Sequence, residues 1–284
     1  MGKGTLESVD RAAVEGELER LVRENRVTVA VVFPLVGAVT LVASALDLLP
    51  AVLAYNPYLL LFGTLVMRSP LVAALVPLTR RRTGIWLGVL VAYSYAIEWV
   101  GLTTGWPYGE FEYVVDLGPM VAGVPVGLPV FFVPLVLNAY LLALLVTRGG
   151  RATLPLALAF VLAIDLVLDP AAVAIGFWAY PEGAYYGVPA SNYLGWVLSG
   201  TVGVVAADRA FDRTALRERL AAVEFALDDL VSFVLLWATV NALFGQWVPV
   251  VVAAVLGVGL VWTGRIEVGR VRLIERWRTV KRNE

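Results

Sequence analysis

Three carboxyls lie within long apolar stretches of this chain, Glu98, Asp165 and Asp169, and Asp47 stands as a weaker fourth at the end of the first such stretch. An ionisable side chain inside a membrane-spanning segment is expensive, so its default reading is functional. Asp165 and Asp169 are four residues apart and share one helix face, and Pro170 disturbs the helix directly after them. Taking a carboxyl out of water disfavours its charged form, and a second carboxylate nearby does so further. A carboxyl that stays protonated at neutral pH is a Brønsted acid. The bland alternative is that these groups hydrogen-bond neighbouring helices or face a polar vestibule. Histidine and cysteine are both absent, which excludes thiol nucleophiles, imidazole bases, disulfides, haem ligation and most zinc sites. Acid–base chemistry is left to Asp, Glu, Tyr or water.

Aromatic side chains crowd the same regions: Trp99, Trp106, Tyr108, Phe111, Tyr113, Phe177, Trp178, Tyr180, Tyr185, Tyr186, Tyr193 and Trp196. An interfacial Trp/Tyr belt accounts for part of this set. Clustering beside the carboxyls suggests in addition a pocket whose ring faces stabilise a transient cation and stack on a conjugated chain. Asn138 and Asn192 could orient a water or hydrogen-bond between helices. The two regions also look alike. Glu98 is followed by GWPYGEFEY at 105–113 and GVP at 123–125; Asp165 and Asp169 are followed by GFWAYPEGAYYGVP at 176–189 and then SNYLGW. Both read as carboxyl helix, aromatic loop, GVP, helix, the pattern of a parallel internal repeat.

The elements that must position these groups are transmembrane helices. The chain has 284 residues, 60% hydrophobic and only 16% charged, with mean hydropathy +0.79; lipid must be the solvent for most of it. Apolar stretches run at 27–46, 50–67, 85–102, 129–147, 154–175, 191–207, 229–244 and 248–264, each near the ~20 residues needed to cross a bilayer. Arg68 and Pro70 interrupt the second, so 69–79 reads as an interfacial segment. The expected fold is therefore an all-α polytopic bundle of about eight transmembrane helices over 27–264. It is flanked by a cytosolic amphipathic lead-in at 1–26 and a basic cytosolic tail at 265–284.

Basic residues give the orientation, because they are retained on the cytoplasmic side. All 22 fall before residue 27, at Arg68 to Arg82, at Arg148 and Arg151, at Arg209 to Arg219, or from Arg265 onward. With eight spans those segments share one side and both termini are cytoplasmic, as in a multi-pass protein of the cell membrane. The long connections 103–128 and 176–190 carry Glu110, Glu112, Asp116 and Glu182 and no basic residue. The net charge of −1 gives no field to hold nucleic acid. The only lysines, Lys3 and Lys281, lie outside every expected span, which excludes a retinal Schiff base.

EWVGLTTGWPYGEFEY, DLVLDP and GFWAYPEGAYYGVPASNYLGW occur in this order and resemble the membrane carotenoid hydratases, the family that acts on C50 bacterioruberin precursors in archaea and on γ-carotene in bacteria. The resemblance covers residues 85–210. It implies cofactor-free addition of water across a terminal isoprenoid double bond, giving a tertiary alcohol, with membrane lipid and a carotenoid as partners and other carotenoid-pathway enzymes as neighbours. Such hydration needs a desolvated acid, support for a tertiary cation and one positioned water, without redox centre or metal. The candidate catalytic residues are Asp165, Asp169 and Glu98; those expected to bind substrate are Trp99, Trp106, Tyr108, Tyr113, Trp178, Tyr180, Tyr186, Asn192 and Trp196. Three readings compete. The DxxxD spacing of Asp165 and Asp169 also suits magnesium diphosphate in an intramembrane prenyltransferase, a lycopene cyclase would use the same initial protonation, and a pigment-binding or transport protein could use the carboxyls as a proton relay.

Overall fold

The computed structural model of the protein describes residues 3–263; the basic tail expected at 265–284 lies outside the described residues. Among the described residues are ten α-helices: α1 (Lys3–Glu24), α2 (Phe33–Ala45, after a π-helical turn at Thr28–Val32), α3 (Pro57–Leu75, continued by a 3-10 turn at Val76–Leu78), α4 (Arg81–Thr104), α5 (Leu128–Val146), α6 (Thr153–Ala174), α7 (Ala190–Ala210), α8 (Arg213–Ala222), α9 (Asp228–Leu243) and α10 (Trp247–Trp262). The segments Thr28–Ala45, Pro57–Leu78, Arg81–Thr104, Leu128–Val146 and Thr153–Ala174 are long and apolar enough to cross a membrane, and α10 is apolar but shorter. The protein is thus a helical membrane protein. Each of the eight apolar stretches of the sequence falls on a helix, with α8 a short polar helix between the sixth and seventh.

Polar contacts gather the basic connections at one end of the bundle. Arg11 of α1 donates to the Val76 carbonyl at 3.2 Å, Arg82 to the Arg209 carbonyl at 2.5 Å, Arg213 to the Gly149 carbonyl at 3.2 Å and Arg219 to the Ala74 carbonyl at 3.0 Å. At the other end the Tyr55 hydroxyl donates to the Ile175 carbonyl at 2.5 Å, and the Val248 amide to the Tyr186 hydroxyl at 3.4 Å. The carboxyl-rich loops therefore share their end with the α2–α3 and α9–α10 connections.

One expectation is corrected. Arg68 and Pro70 do not bring the second helix out of the bundle: α3 runs through both to Leu75, so 69–79 is not an interfacial segment as a whole. The reason is compensation across the fold. Asp229 at the start of α9 forms an ion pair with Arg68, and Asn138 of α5 donates to the same carboxylate at 2.7 Å, so the buried charge is paired. That settles Asn138 as a helix-to-helix contact. A proline inside a helix leaves the carbonyl four residues earlier without its donor, and each such carbonyl here finds a side chain. Ser69 donates to Val66 at 2.7 Å for Pro70. Arg68 donates to Val130 at 3.3 Å for Pro134, and Tyr185 to Leu166 at 3.3 Å for Pro170.

The core is centred on α5, nearly all of it buried from Phe132 to Leu144. It packs against α6, as α4 packs against α7. Glycines permit the closest approaches: a Cβ at Gly203 would lie 2.7 Å from the Val136 side chain, and one at Gly200 3.0 Å from that of Val161.

Candidate active site

Two irregular loops build the end of the bundle opposite the basic connections, and each is locked to the other by backbone. The loop after α4 carries β1 (Glu112–Tyr113), β2 (Met120–Val121) and β3 (Val124–Pro125), and the loop after α6 carries β4 (Trp178–Ala179). β1 pairs antiparallel with β4, Tyr113 opposite Trp178, and the Val114 amide donates to the Phe177 carbonyl at 3.1 Å. Directly opposed residues of such a pair point to one face, so this pairing brings Tyr113 and Trp178 together above the helix ends. Tyr108 anchors the first loop inward. Its ring lies where a Cβ at Gly195 would be 2.4 Å away and one at Gly101 3.1 Å, and its hydroxyl meets the Ser199 hydroxyl at 2.6 Å.

Below the loops the three carboxyls converge from two helices. Tyr113 donates its phenol hydrogen to Glu98 of α4. On α6, Asp165 and Asp169 are both buried, and the Asn192 amide of α7 donates to Asp169 and, at 3.3 Å, to Asp165. Burial is the main cause that pushes the phenols of Tyr108, Tyr113 and Tyr180 well above the usual tyrosine range, with Glu98 adding to it for Tyr113 and Asp169 for Tyr180. Each therefore stays a neutral hydrogen-bond donor. Asp165 Oδ1, Trp178 Nε1 and the Tyr193 hydroxyl are buried without a protein partner. Such groups are costly unless water or a polar ligand atom meets them.

A cavity of about 700 Å³ opens beside this cluster and runs down between α2, α3, α5 and α9 as far as Arg68. Of the twelve residues expected to form the site, Glu98, Asp169, Tyr108, Tyr113, Trp178, Tyr180, Asn192 and Trp196 line it. Asp165 does not; it stands behind Asp169, against the same amide. Three aromatics are placed elsewhere. Trp99 and Trp106 are 49% and 59% exposed on the outer surface, and Tyr186 sits in a tight turn packed edge-on against Tyr185. Helix direction explains Trp99: one residue beyond Glu98, its side chain leaves the helix on a different face.

Several lining residues have no counterpart among the expected ones. Phe132 stacks on Trp196 with ring centroids 5.4 Å apart and planes 20° apart, and Phe177 meets Trp237 edge-on at 6.3 Å. Arg68 closes the inner end. Phe132 and Trp237 lie in helices whose apolar residues continue all round, so periodicity marks no functional face; for Arg68 an intramembrane charge was itself the available signal.

A polar cluster beside a largely apolar cavity, inside a helical membrane protein, has the make-up of a site for a hydrophobic molecule. The chain belongs to the carotenoid biosynthesis protein family, whose model matches residues 55–260. It is similar to bisanhydrobacterioruberin hydratase of Haloarcula japonica, with 60% identity over 256 residues that span 88% of this chain and 87% of the relative. No solved structure matches the chain.

Proposed function

We propose that this protein is a hydratase of carotenoid biosynthesis that adds water to the terminal double bonds of an acyclic C50 carotenoid, giving tertiary alcohols. The observation that carries the reading is the cavity: largely apolar in its lining, with the carboxyls Glu98 and Asp169 and the Asn192 amide gathered beside the rings of Trp178, Tyr180 and Trp196. The identity to a hydratase over most of both chains supports the same reaction. A carboxylic acid protonates the less substituted alkene carbon, the ring faces stabilise the tertiary cation, and a second carboxylate removes a proton from the water that captures it. The step needs an acid, a base and water; the chain's own carboxyls supply the first two, so the enzyme is proposed as a cofactor-independent lyase. Of the aromatics expected to bind substrate, Trp178, Tyr180 and Trp196 line the cavity and are proposed as the walls that face the cation.

We further propose that α2 to α7, α9 and α10 all cross the cell membrane, with both termini cytoplasmic and the carboxyl cluster near the outer face. The gathering of basic connections at one end supports this orientation. Membrane lipid then surrounds the bundle and delivers the substrate. Other membrane enzymes of the pathway are the natural neighbours for its exchange.

The test is to express the chain in cells that accumulate the acyclic C50 precursor with unmodified ends, and to read the pigments by mass spectrometry. A gain of one or two waters, labelled from heavy-oxygen water and not from oxygen gas, is expected. Unchanged pigment in cells that contain the inserted protein would transfer the reading to pigment binding or transport.

A further inference from the structure

The two carboxyl-bearing regions share several features of sequence and backbone, although the first loop is the longer. A left-handed glycine follows each helix, Gly105 directly after α4 and Gly176 two residues after the last residue of α6, with φ of 71° and 72°. Glu98 lies seven residues before the first glycine and Asp169 seven before the second. At the same spacing, buried Leu90, Ser94, Ile97 and Gly101 correspond to buried Val161, Asp165, Leu168 and Ala172. Each loop then closes with a two-residue turn of left-handed backbone, Ala122–Gly123 (φ 51° and 84°) and Tyr186–Gly187 (φ 51° and 86°). Left-handed backbone is uncommon for residues other than glycine, so its recurrence at matching positions is specific. A buried valine and a proline follow in both cases. Nine residues past each turn glycine stand Phe132 and Trp196, which stack on one another, and the two loops are joined by the antiparallel pairing of β1 with β4.

We propose that α4 with its loop and α5, and α6 with its loop and α7, are two copies of one unit related by a quasi-two-fold axis, and that the equivalent carboxyls Glu98 and Asp169 are the opposed base and acid of hydration. Asp165, which occupies the place of Ser94, is then a positioning residue. The assignment rests on the hydratase reading. Both equivalent carboxyls line the cavity and Asp165 does not. Glu98 accepts the Tyr113 hydrogen, as a base would. Asp169 shares the Asn192 amide with Asp165, which holds the Asp169 carboxyl at the cavity wall.

In the step, the Asp169 O–H bond breaks as a C–H bond forms at the less substituted alkene carbon, leaving the cation on the tertiary carbon. Water oxygen bonds to that carbon and gives one proton to Glu98. Glu98 then releases its proton to water and Asp169 takes one up from water, and the site is reset.

The experiment uses the full chain in membranes, an acyclic carotenoid with unmodified ends, and deuterated water. Asp169→Asn should abolish hydration and leave recovered substrate free of deuterium. Glu98→Gln should also abolish hydration, yet recovered substrate should carry deuterium at the terminal alkene, because the cation forms and loses a proton again. Asp165→Asn and Asp165→Ser should lower kcat by roughly 10- to 100-fold with KM changed less than about threefold, and should displace the pH profile of kcat. Asp169→Glu and Glu98→Asp, which keep the groups, should retain detectable turnover and so report that the fold survives. Deuterium uptake by Asp169→Asn, its absence in Glu98→Gln, or Asp165 variants that lose all deuterium uptake would overturn the assignment. Wild-type protein that adds no water would instead overturn the hydratase reading on which it rests.

Discussion

At the scale of single residues, the carboxyls that line the cavity are each met by a named donor, Tyr113 at Glu98 and Asn192 at Asp169. Tyr113 is the donor that sets Glu98. A hydrogen bond to a charged group contributes about 1.5–3 kcal/mol, so Tyr113→Phe should lower turnover by roughly 10- to 100-fold, measured by quantifying pigments from membranes containing equal amounts of protein. Arg68 poses the opposite case. It pairs with Asp229, and removing one partner of a buried ion pair costs about 3–5 kcal/mol. Arg68→Ala should therefore reduce folded protein severely, while the double change Arg68→Met with Asp229→Leu should restore most of it, as followed by thermal unfolding in detergent. A double variant as unstable as the single one would mean that the pair is needed for more than mutual neutralisation.

At the scale of elements, short loops define the site because they are held from both sides. β1 and β4 join the two loops, and Tyr108 pins the first of them into a slot between Gly101 and Gly195. Gly195→Val would drive a side chain into the Tyr108 ring; overpacking of this kind costs about 1–3 kcal/mol. The variant should insert normally yet lose most activity, and limited proteolysis should cut the 105–127 loop faster than in the parent. Proline placement follows the same logic. Pro70, Pro134 and Pro170 each free a carbonyl that a side chain from nearby or from another element fills, so these helices continue through residues that would otherwise end them.

At the scale of the whole molecule, topology can be read chemically because the chain contains no cysteine. Glu182→Cys, in an acidic loop, should react with a membrane-impermeant thiol reagent added to intact cells, and Arg217→Cys, at the basic end, only after permeabilisation. The reverse pattern would invert the proposed orientation. The sequence by itself determined the apolar lengths, the ends at which charges gather, the three carboxyls and the likeness of the two aromatic loops, because these depend on composition and on spacing along a helix. It could not determine that Arg68 stays inside the bundle, since its partner Asp229 is distant in the chain. Nor could it rank Asp169 above Asp165, or Trp196 above Trp99, because neighbouring positions differ only in the helix they face. Phe132 gave no signal at all in a helix apolar on every side. Those choices were made by tertiary packing: a cavity exists only between elements, and which side chain lines it depends on how the helices are rotated against one another.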